Sequence, residues 1–281
     1  MKHGKAPKKD FSFSSLPSNR FFQYWDILRH QGLSVFSLCL FCLVGFLPYA
    51  LTRYYFVALT SKELSGGSAL GSSAVQSLYL YYFLLRLPCL LFASLFVAGT
   101  LRLFKRMSYG EGYLFMADFF EGVKENVGGC LGHFALYWLS SSLLLYGTEV
   151  GIASGAWHQY LFLALLFFIV LPLLLVSLYL SAVYADGFFA KFIASIKVFL
   201  RHYPSILLAS LILEAPLGLL ALGLSPIQLF VPIGYALLWL PLAYLAVVLL
   251  LNRCFDKDIN EQNFPDLVDK GLSRQKEGEE K

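Results

Sequence analysis

Two ionisable residues of this 281-residue chain stand where an apolar helix has no water to offer them: Arg86 lies within YFLLRLPCLL and Glu214 within ASLILEAPLG. A charge at the centre of a membrane helix costs about 2.5–3.5 kcal/mol on insertion scales, so such residues face the bundle interior and find partners. Each is followed two residues later by proline, Pro88 and Pro216. Proline removes one intrahelical hydrogen bond and frees the carbonyl four residues earlier, here those of Leu84 and Ile212. A broken helix beside a charge is how many carriers build midplane sites. The expectation is that Arg86 and Glu214 pair across two helices, either fixing helix register or lining a polar pathway.

Other chemistry is thin. His133 sits among Gly128, Gly129 and Gly132, where small residues let a second helix approach, and it reads as an interhelical hydrogen bonder or a proton relay. Cys39 and Cys42 form a CxxC inside an apolar run, which favours packing over redox or metal chemistry. The five His are scattered, and a metal site needs clustered ligands. The chain has no GxxxxGK[ST], HExxH or GxSxG, and no Asp inside an apolar run. Gly110-Glu111-Gly112 is too short for a phosphate loop. The expectation is no catalytic residue, no cofactor, no metal and no enzymatic activity.

The elements that must position these residues follow from composition. At 58% hydrophobic and 14% charged, the chain departs from a globular average of about 45–50% apolar and 25% charged. Apolar runs cover approximately 33–52, 77–101, 128–147, 160–183, 205–224 and 228–251, each close to the 20 residues or so that cross hydrocarbon. In lipid such runs are helical, because each backbone N–H and C=O must be satisfied within its own segment. The first run can extend to Leu59, through Pro48. The expected fold class is all-α, a polytopic membrane helix bundle of about six transmembrane helices with short cytoplasmic interfacial helices. Arg86 and Glu214 each fall about ten residues into a run, which at a rise of roughly 1.5 Å per residue places both near the midplane.

Nineteen of the 22 Lys and Arg fall before the first run, after the second, after the fourth or in the tail. Arg53 and Lys62 alone lie on the other side. By the positive-inside rule both termini are cytoplasmic, and the net charge of +4 is a spatial bias rather than a nucleic-acid-binding balance. Residues 1–30 read as a cytoplasmic N-terminal segment, 31–252 as a six-helix transmembrane domain and 253–281 as a disordered cytoplasmic tail. The segment 60–76, rich in Ser and Gly, reads as a flexible external connection. With no cleavable signal peptide, no glycosylation acceptor and few cysteines, the expected location is the bacterial inner membrane.

Three amphipathic stretches precede the odd-numbered runs. They carry Phe21, Phe22, Trp25 and Leu28, then Phe115, Phe119, Val123 and Val127, then Phe189, Phe192, Ile193, Ile196 and Phe199. Such segments are expected in the interface, apolar face in the acyl boundary. The second has an acidic polar face with Asp118, Glu121 and Glu125, so it is the candidate for binding a protein partner.

Residues 84–126 combine an Ala-Gly near a span end (Ala98, Gly99), a basic turn (Arg102, Lys105, Arg106), then Gly110, Glu111 and Gly112, then Asp118-Phe119-Phe120 and Lys124 and Asn126. In these features the stretch resembles the YesL-like family of uncharacterised bacterial multi-pass membrane proteins. The resemblance implies a plasma-membrane protein, often encoded among carbohydrate-uptake genes, with no established activity or catalytic residues. Gly110, Glu111, Gly112, Asp118, Phe119, Glu121, Lys124 and Asn126 are its family-motif and partner-surface candidates. Two functions stay open: an accessory or regulator of a transport system that binds a permease or other membrane protein through residues 111–125, or a small carrier working through Arg86 and Glu214. The bilayer is a partner in either case, nucleic acid is not, and the sequence leaves the oligomeric state open.

Overall fold

In the computed structural model, residues 16–67, 73–154, 158–183, 188–216 and 225–273 are described. Among them every regular element is helical. Helix α1 runs from Arg20 to Ser65, α2 from Ser73 to Ser108 and α3 from Phe115 to Ser154. The next long segment joins α4 (His158–Leu165), one π turn at Leu166–Val170 and α5 (Leu171–Val183). Helix α6 (Phe188–Arg201) then meets α7 (Tyr203–Glu214). The chain finishes with α8 (Ser225–Gly234), a π turn at Tyr235–Trp239, α9 (Leu240–Phe255), a third π turn at Asp256–Asn260 and α10 (Glu261–Asn263).

Among the described residues, four helices are long and apolar enough to cross a membrane: Arg20–Ser65, Ser73–Ser108, Tyr160–Val183 and Phe230–Asn263, or five if the α6–α7 pair, bent by 100° at His202, forms one span. That is short of six. The expected third span lies inside α3, whose apolar run is diluted by His133, Tyr137, Trp138 and Ser140 to Ser142. Of the expected fifth span, α7 supplies residues up to Glu214, and 217–224 lie outside the described residues.

The interfacial helices differ from expectation in two cases out of three. The first stretch is the N-terminal limb of α1, separated by a break at Gln31 (φ −125°, ψ 16°). Phe21, Phe22 and Trp25 stand outward from it, 67%, 55% and 56% exposed, while Leu28 packs on the core. The second stretch is not a separate helix: it is the start of α3, and its apolar face meets protein rather than lipid, with Phe41 4.7 Å from Phe119 and 5.7 Å from Phe115 between ring centres. The third is a short helix, α6, but rolled from the expected face. Ser195, Val198 and Phe199 turn inward and Ile193 outward, and the side chain of Phe189 lies outside the described residues.

Aromatic donors from neighbouring helices reach carbonyls at or beside those that proline frees. Trp239 Nε1 donates to Ile212 O at 2.9 Å, opposite Pro216, and Trp138 Nε1 to Phe83 O at 2.8 Å, one residue before Leu84. Tyr203 Oη donates to Phe168 O at 3.2 Å, four residues before Pro172. Neighbouring side chains of this kind are what let proline persist in membrane helices.

At the basic end of the bundle, α2 stops in a left-handed residue, Gly110 (φ 67°). The N–H of Gly110 reaches Met107 O at 3.2 Å and that of Glu111 reaches Arg106 O at 2.9 Å, the two bonds of a Schellman cap. Ser108 then becomes a junction. Its carbonyl accepts from Gln23 Nε2 at 2.7 Å, its hydroxyl accepts from Asn252 Nδ2 at 3.0 Å, and Asn252 Oδ1 accepts from Tyr179 Oη at 2.7 Å. Lys105 Nζ and Lys191 Nζ donate to the last carbonyls of α5, at Val183 and Ser181, where a helix dipole favours cations.

The expected disordered tail does not begin at residue 253. Residues up to Ser273 are ordered against the N-terminal segment: Arg20 pairs with Asp256 at 2.8 Å and donates to Lys270 O at 3.0 Å, and Ser273 N donates to Pro17 O at 3.0 Å. Polar side chains that find buried partners hold this segment together with a few apolar ones, Ile259 and Leu267 packing on the core, which is why low hydrophobicity misread it. Residues 274–281 lie outside the described residues. Gly271 sits at φ 85°, and a Cβ there would come 2.6 Å from Ser108 O and 2.8 Å from Gln23 Nε2. Gly271→Ala is expected to lower the thermal midpoint and to expose the 261–273 segment to limited proteolysis; unchanged digestion would show that the tail is not held by this turn.

Candidate functional site

Arg86 is 2% exposed. Its guanidinium donates to Ser142 Oγ at 3.2 Å through Nη1 and to Ser141 Oγ at 2.8 Å through Nη2. Its Cζ lies 5.4 Å from the Tyr137 ring centre and 5.9 Å from that of Tyr49, distances at which a ring face attracts a cation. Tyr49 in turn is within hydrogen-bonding reach of Arg53 and Tyr82. Three helices therefore build one polar interior: α1 brings Tyr49 and Arg53, α2 brings Tyr82 and Arg86, and α3 brings Tyr137, Ser141 and Ser142. Two of the pairs, Tyr49/Arg53 and Tyr82/Arg86, share the same four-residue spacing, which puts phenol and guanidinium on one helix face.

The expected Arg86–Glu214 ion pair does not form. Glu214 Oε1 accepts from Ser210 Oγ at 2.6 Å, one turn earlier on α7, and Oε2 is buried with no hydrogen-bond partner. Glu214 is nevertheless close: Tyr137 lies within electrostatic reach of both Arg86 and Glu214, and Tyr235 of Glu214. A phenol thus separates the two charges. Sequence reasoning found both charges and missed Tyr49, Arg53, Tyr82 and Tyr137. The signal present was the repeated Tyr-x-x-x-Arg, together with a Tyr-x-x-x-Ser-Ser facing it.

The motif residues 110–126 form a structural corner instead of a free surface. Asp118, buried, accepts from the Leu114 N–H at 2.7 Å and meets Arg106 at 2.9 Å. Arg102 gathers Glu121 at 2.6 Å, Glu125, and Asp118 at 3.5 Å. Glu111 pairs with Lys270 at 2.6 Å, and Arg106 donates to the Gly112 carbonyl at 3.2 Å. Phe119 is buried against Gly99, where a Cβ would come 2.5 Å from its ring, and Asn126 Nδ2 donates to Ala98 O at 3.2 Å. Lys124 and Phe120 are left pointing outward. Between Arg102, Lys105, Arg106, Glu111, Glu125 and Lys270 a cleft of about 260 Å³ opens. Burial, with the Asp256 carboxylate second, pushes the neighbouring Tyr109 phenol above its ordinary range.

His133 bridges α3 and α5, at 2.7 Å from both Gly129 O and Ser177 Oγ. Since the carbonyl only accepts, Nδ1 carries the proton and Nε2 accepts from the serine. Cys39 and Cys42 are buried free thiols, packed within the bundle.

No protein family, curated protein or solved structure matches the chain. The corner just described gives a mechanical role to most of the residues of 84–126 on which the resemblance rests, Phe120 and Lys124 excepted. Leaving a buried charge without its hydrogen-bond acceptors costs about 1–3 kcal/mol or more, whereas replacing charge and acceptors together by apolar groups can be neutral. Ser141→Ala with Ser142→Ala is therefore expected to lower the thermal midpoint in detergent further than Arg86→Met with the same two serine changes. The reverse order would show that the guanidinium is solvated by other means.

Proposed function

We propose that this chain is a small carrier or permease of a bacterial plasma membrane, with both termini in the cytoplasm and its working centre at the Arg86 cluster. One observation carries this reading: a fully buried guanidinium held by hydroxyls and phenols, with no carboxylate against it, in a helix that carries Pro88 two residues on. Apolar side chains would fix helix register at lower cost than an arginine. Ionisable groups kept inside a membrane bundle mark pathways and sites. The orientation is supported by the way the basic turn 102–106, the N-terminal segment and residues 256–273 converge on one end, since basic residues gather at cytoplasmic ends. An outward stripe along α1, including Leu33, Phe36, Leu40, Val44 and Leu47, suits contact with lipid. Catalysis and cofactors have no part in the proposal.

The accessory reading, in which residues 111–125 hold a permease, has less surface to use, because Asp118, Glu121 and Glu125 are already engaged by Arg102 and Arg106. In proteoliposomes challenged with small solutes, charged and neutral, the protein is expected to speed the entry of at least one, with Arg86→Gln losing tenfold or more of the rate, about 1.4 kcal/mol in barrier, and Lys124→Glu, on the outward face of the acidic stretch, keeping it. A protein that moves nothing and is recovered from native membrane bound to a permease would return the function to the accessory class.

A further inference from the structure

We infer that the Arg86 cluster binds a small monovalent anion, of halide or nitrate size; the inference rests on the reading of that cluster as the working centre and gives its ligand a chemical class. A guanidinium has five N–H donors. Those of Arg86 reach two serine hydroxyls and the Tyr137 phenol oxygen, and its Nε is buried with no hydrogen-bond partner. The hydroxyl proton of Ser141 is committed to the Tyr137 backbone carbonyl, so the serine oxygen serves Arg86 as a neutral acceptor. No ion pair among the described residues includes Arg86. The positive charge is thus solvated by dipoles and ring faces and not neutralised. Arg53 lies on the far side of Tyr49, and the Glu214 carboxylate is held off from Arg86 by the Tyr137 phenol.

The contrast with the basic end is direct. There Arg20, Arg102, Arg106, Arg201 and Lys270 each meet a carboxylate. The chain pairs its arginines where it has carboxylates to spare and leaves Arg86 without one at the least hydrated place. In a low-dielectric interior an unneutralised charge attracts a counter-ion far more strongly than at a surface.

Size and charge follow from the walls. The Tyr49 and Tyr137 rings stand 5.9 and 5.4 Å from the guanidinium carbon, and Tyr82 is closed off on its other side by Phe56, stacked at 4.3 Å. Rings this close to the guanidinium crowd out a phosphate ester or a sugar acid, so the inferred ligand is a single small ion taking the Nε–H. One unneutralised guanidinium calls for one negative charge. Weakly hydrated anions lose least on entering such a site, so nitrate and bromide are expected to bind at least as well as chloride, and sulfate to bind worst.

The test uses the full-length protein in nanodiscs, exchanged between sodium gluconate and sodium nitrate or bromide at constant ionic strength. The thermal midpoint is expected to rise and saturate with nitrate or bromide, as binding to the folded state alone requires, and the bromide NMR line is expected to broaden with protein and sharpen again on adding nitrate. Arg86→Gln should abolish both effects. Should that variant fail to fold, Arg86→Lys keeps the charge while losing the fork, and is expected to weaken the apparent affinity about tenfold. Equal responses to gluconate, nitrate and bromide in the wild type, or an undiminished response in a folded Arg86→Gln, would overturn the inference. Anion binding without solute entry into vesicles would overturn the carrier reading and leave the site standing; entry of a neutral solute without anion binding would do the opposite.

Discussion

A polar group buried in this bundle has to be satisfied by the protein itself, and that constraint organises both ends of the molecule. At the basic end it is met mostly by exchange among side chains, with Arg20 Nε and Arg102 Nε left over. Tyr179, Asn252, Ser108 and Gln23 pass hydrogen bonds across α5, α9, α2 and α1, while Asp256 takes Arg20 and Asn260. Such a network is worth having only when each member is paired, because a half-satisfied one is worse than an apolar core. Around Arg86 the solution is different in kind: acceptors without charge, and ring faces where carboxylates are expected. The first arrangement rigidifies, and the second leaves an electrostatic demand unmet.

The same constraint explains the distribution of Trp and Tyr. Proline breaks at positions 88, 172 and 216 would each strand a backbone carbonyl near hydrocarbon. Trp138, Tyr203 and Trp239 reach across from another helix to take a carbonyl beside each break. The breaks are consequently cross-links as well as weak points. A helix bent at proline but tethered by one long aromatic side chain can change its angle without exposing a bare carbonyl, which is the mechanical property a pathway between helices needs.

Much of the fold was legible from apolar run length alone. The run 160–183 coincides with the observed Tyr160–Val183, and runs one, two and six fall inside single long helical segments. What run length cannot show is where a helix continues past the apolar part: α1, α2 and α3 overrun their runs because capping, not hydropathy, ends them, as the Gly110 turn does for α2. Arg86 and Glu214 were legible as misplaced charges, since burial of a charge has a large and general cost. Their partners were not. Opposite charge is the default expectation, yet hydroxyls and phenols from three helices took its place, and no one-dimensional pattern ties Ser141 on α3 to Arg86 on α2. The tail and the acidic stretch failed for a related reason: whether a charged residue is a solvated surface or half of a buried pair depends on a partner far away in sequence, Arg20 for Asp256 and Arg102 for Glu121.

The motif at the basic corner and the polar interior are parts of one device, because both are carried by the antiparallel pair α2 and α3. From the corner to the polar interior the contacts run in opposite chain directions: Arg102 with Glu121, Gly99 with Phe119 and Ala98 with Asn126 at one end, Arg86 with Ser141 and Phe83 with Trp138 at the other. Two glycines set how closely the helices meet. At Gly122 a Cβ would stand 2.7 Å from the Arg102 side chain, and at Gly99 it would intrude into the Phe119 ring. In a helix pair of fixed rise, spacing and register at one end dictate them at the other. The serines reach the guanidinium because the acidic face of α3 is clamped by Arg102 several turns away. A shift of one helical position at the corner would carry Ser141 and Ser142 off the face that meets Arg86 and leave the charge in hydrocarbon. The residues that looked like a docking surface thus do their work inward, holding the register on which the buried arginine depends.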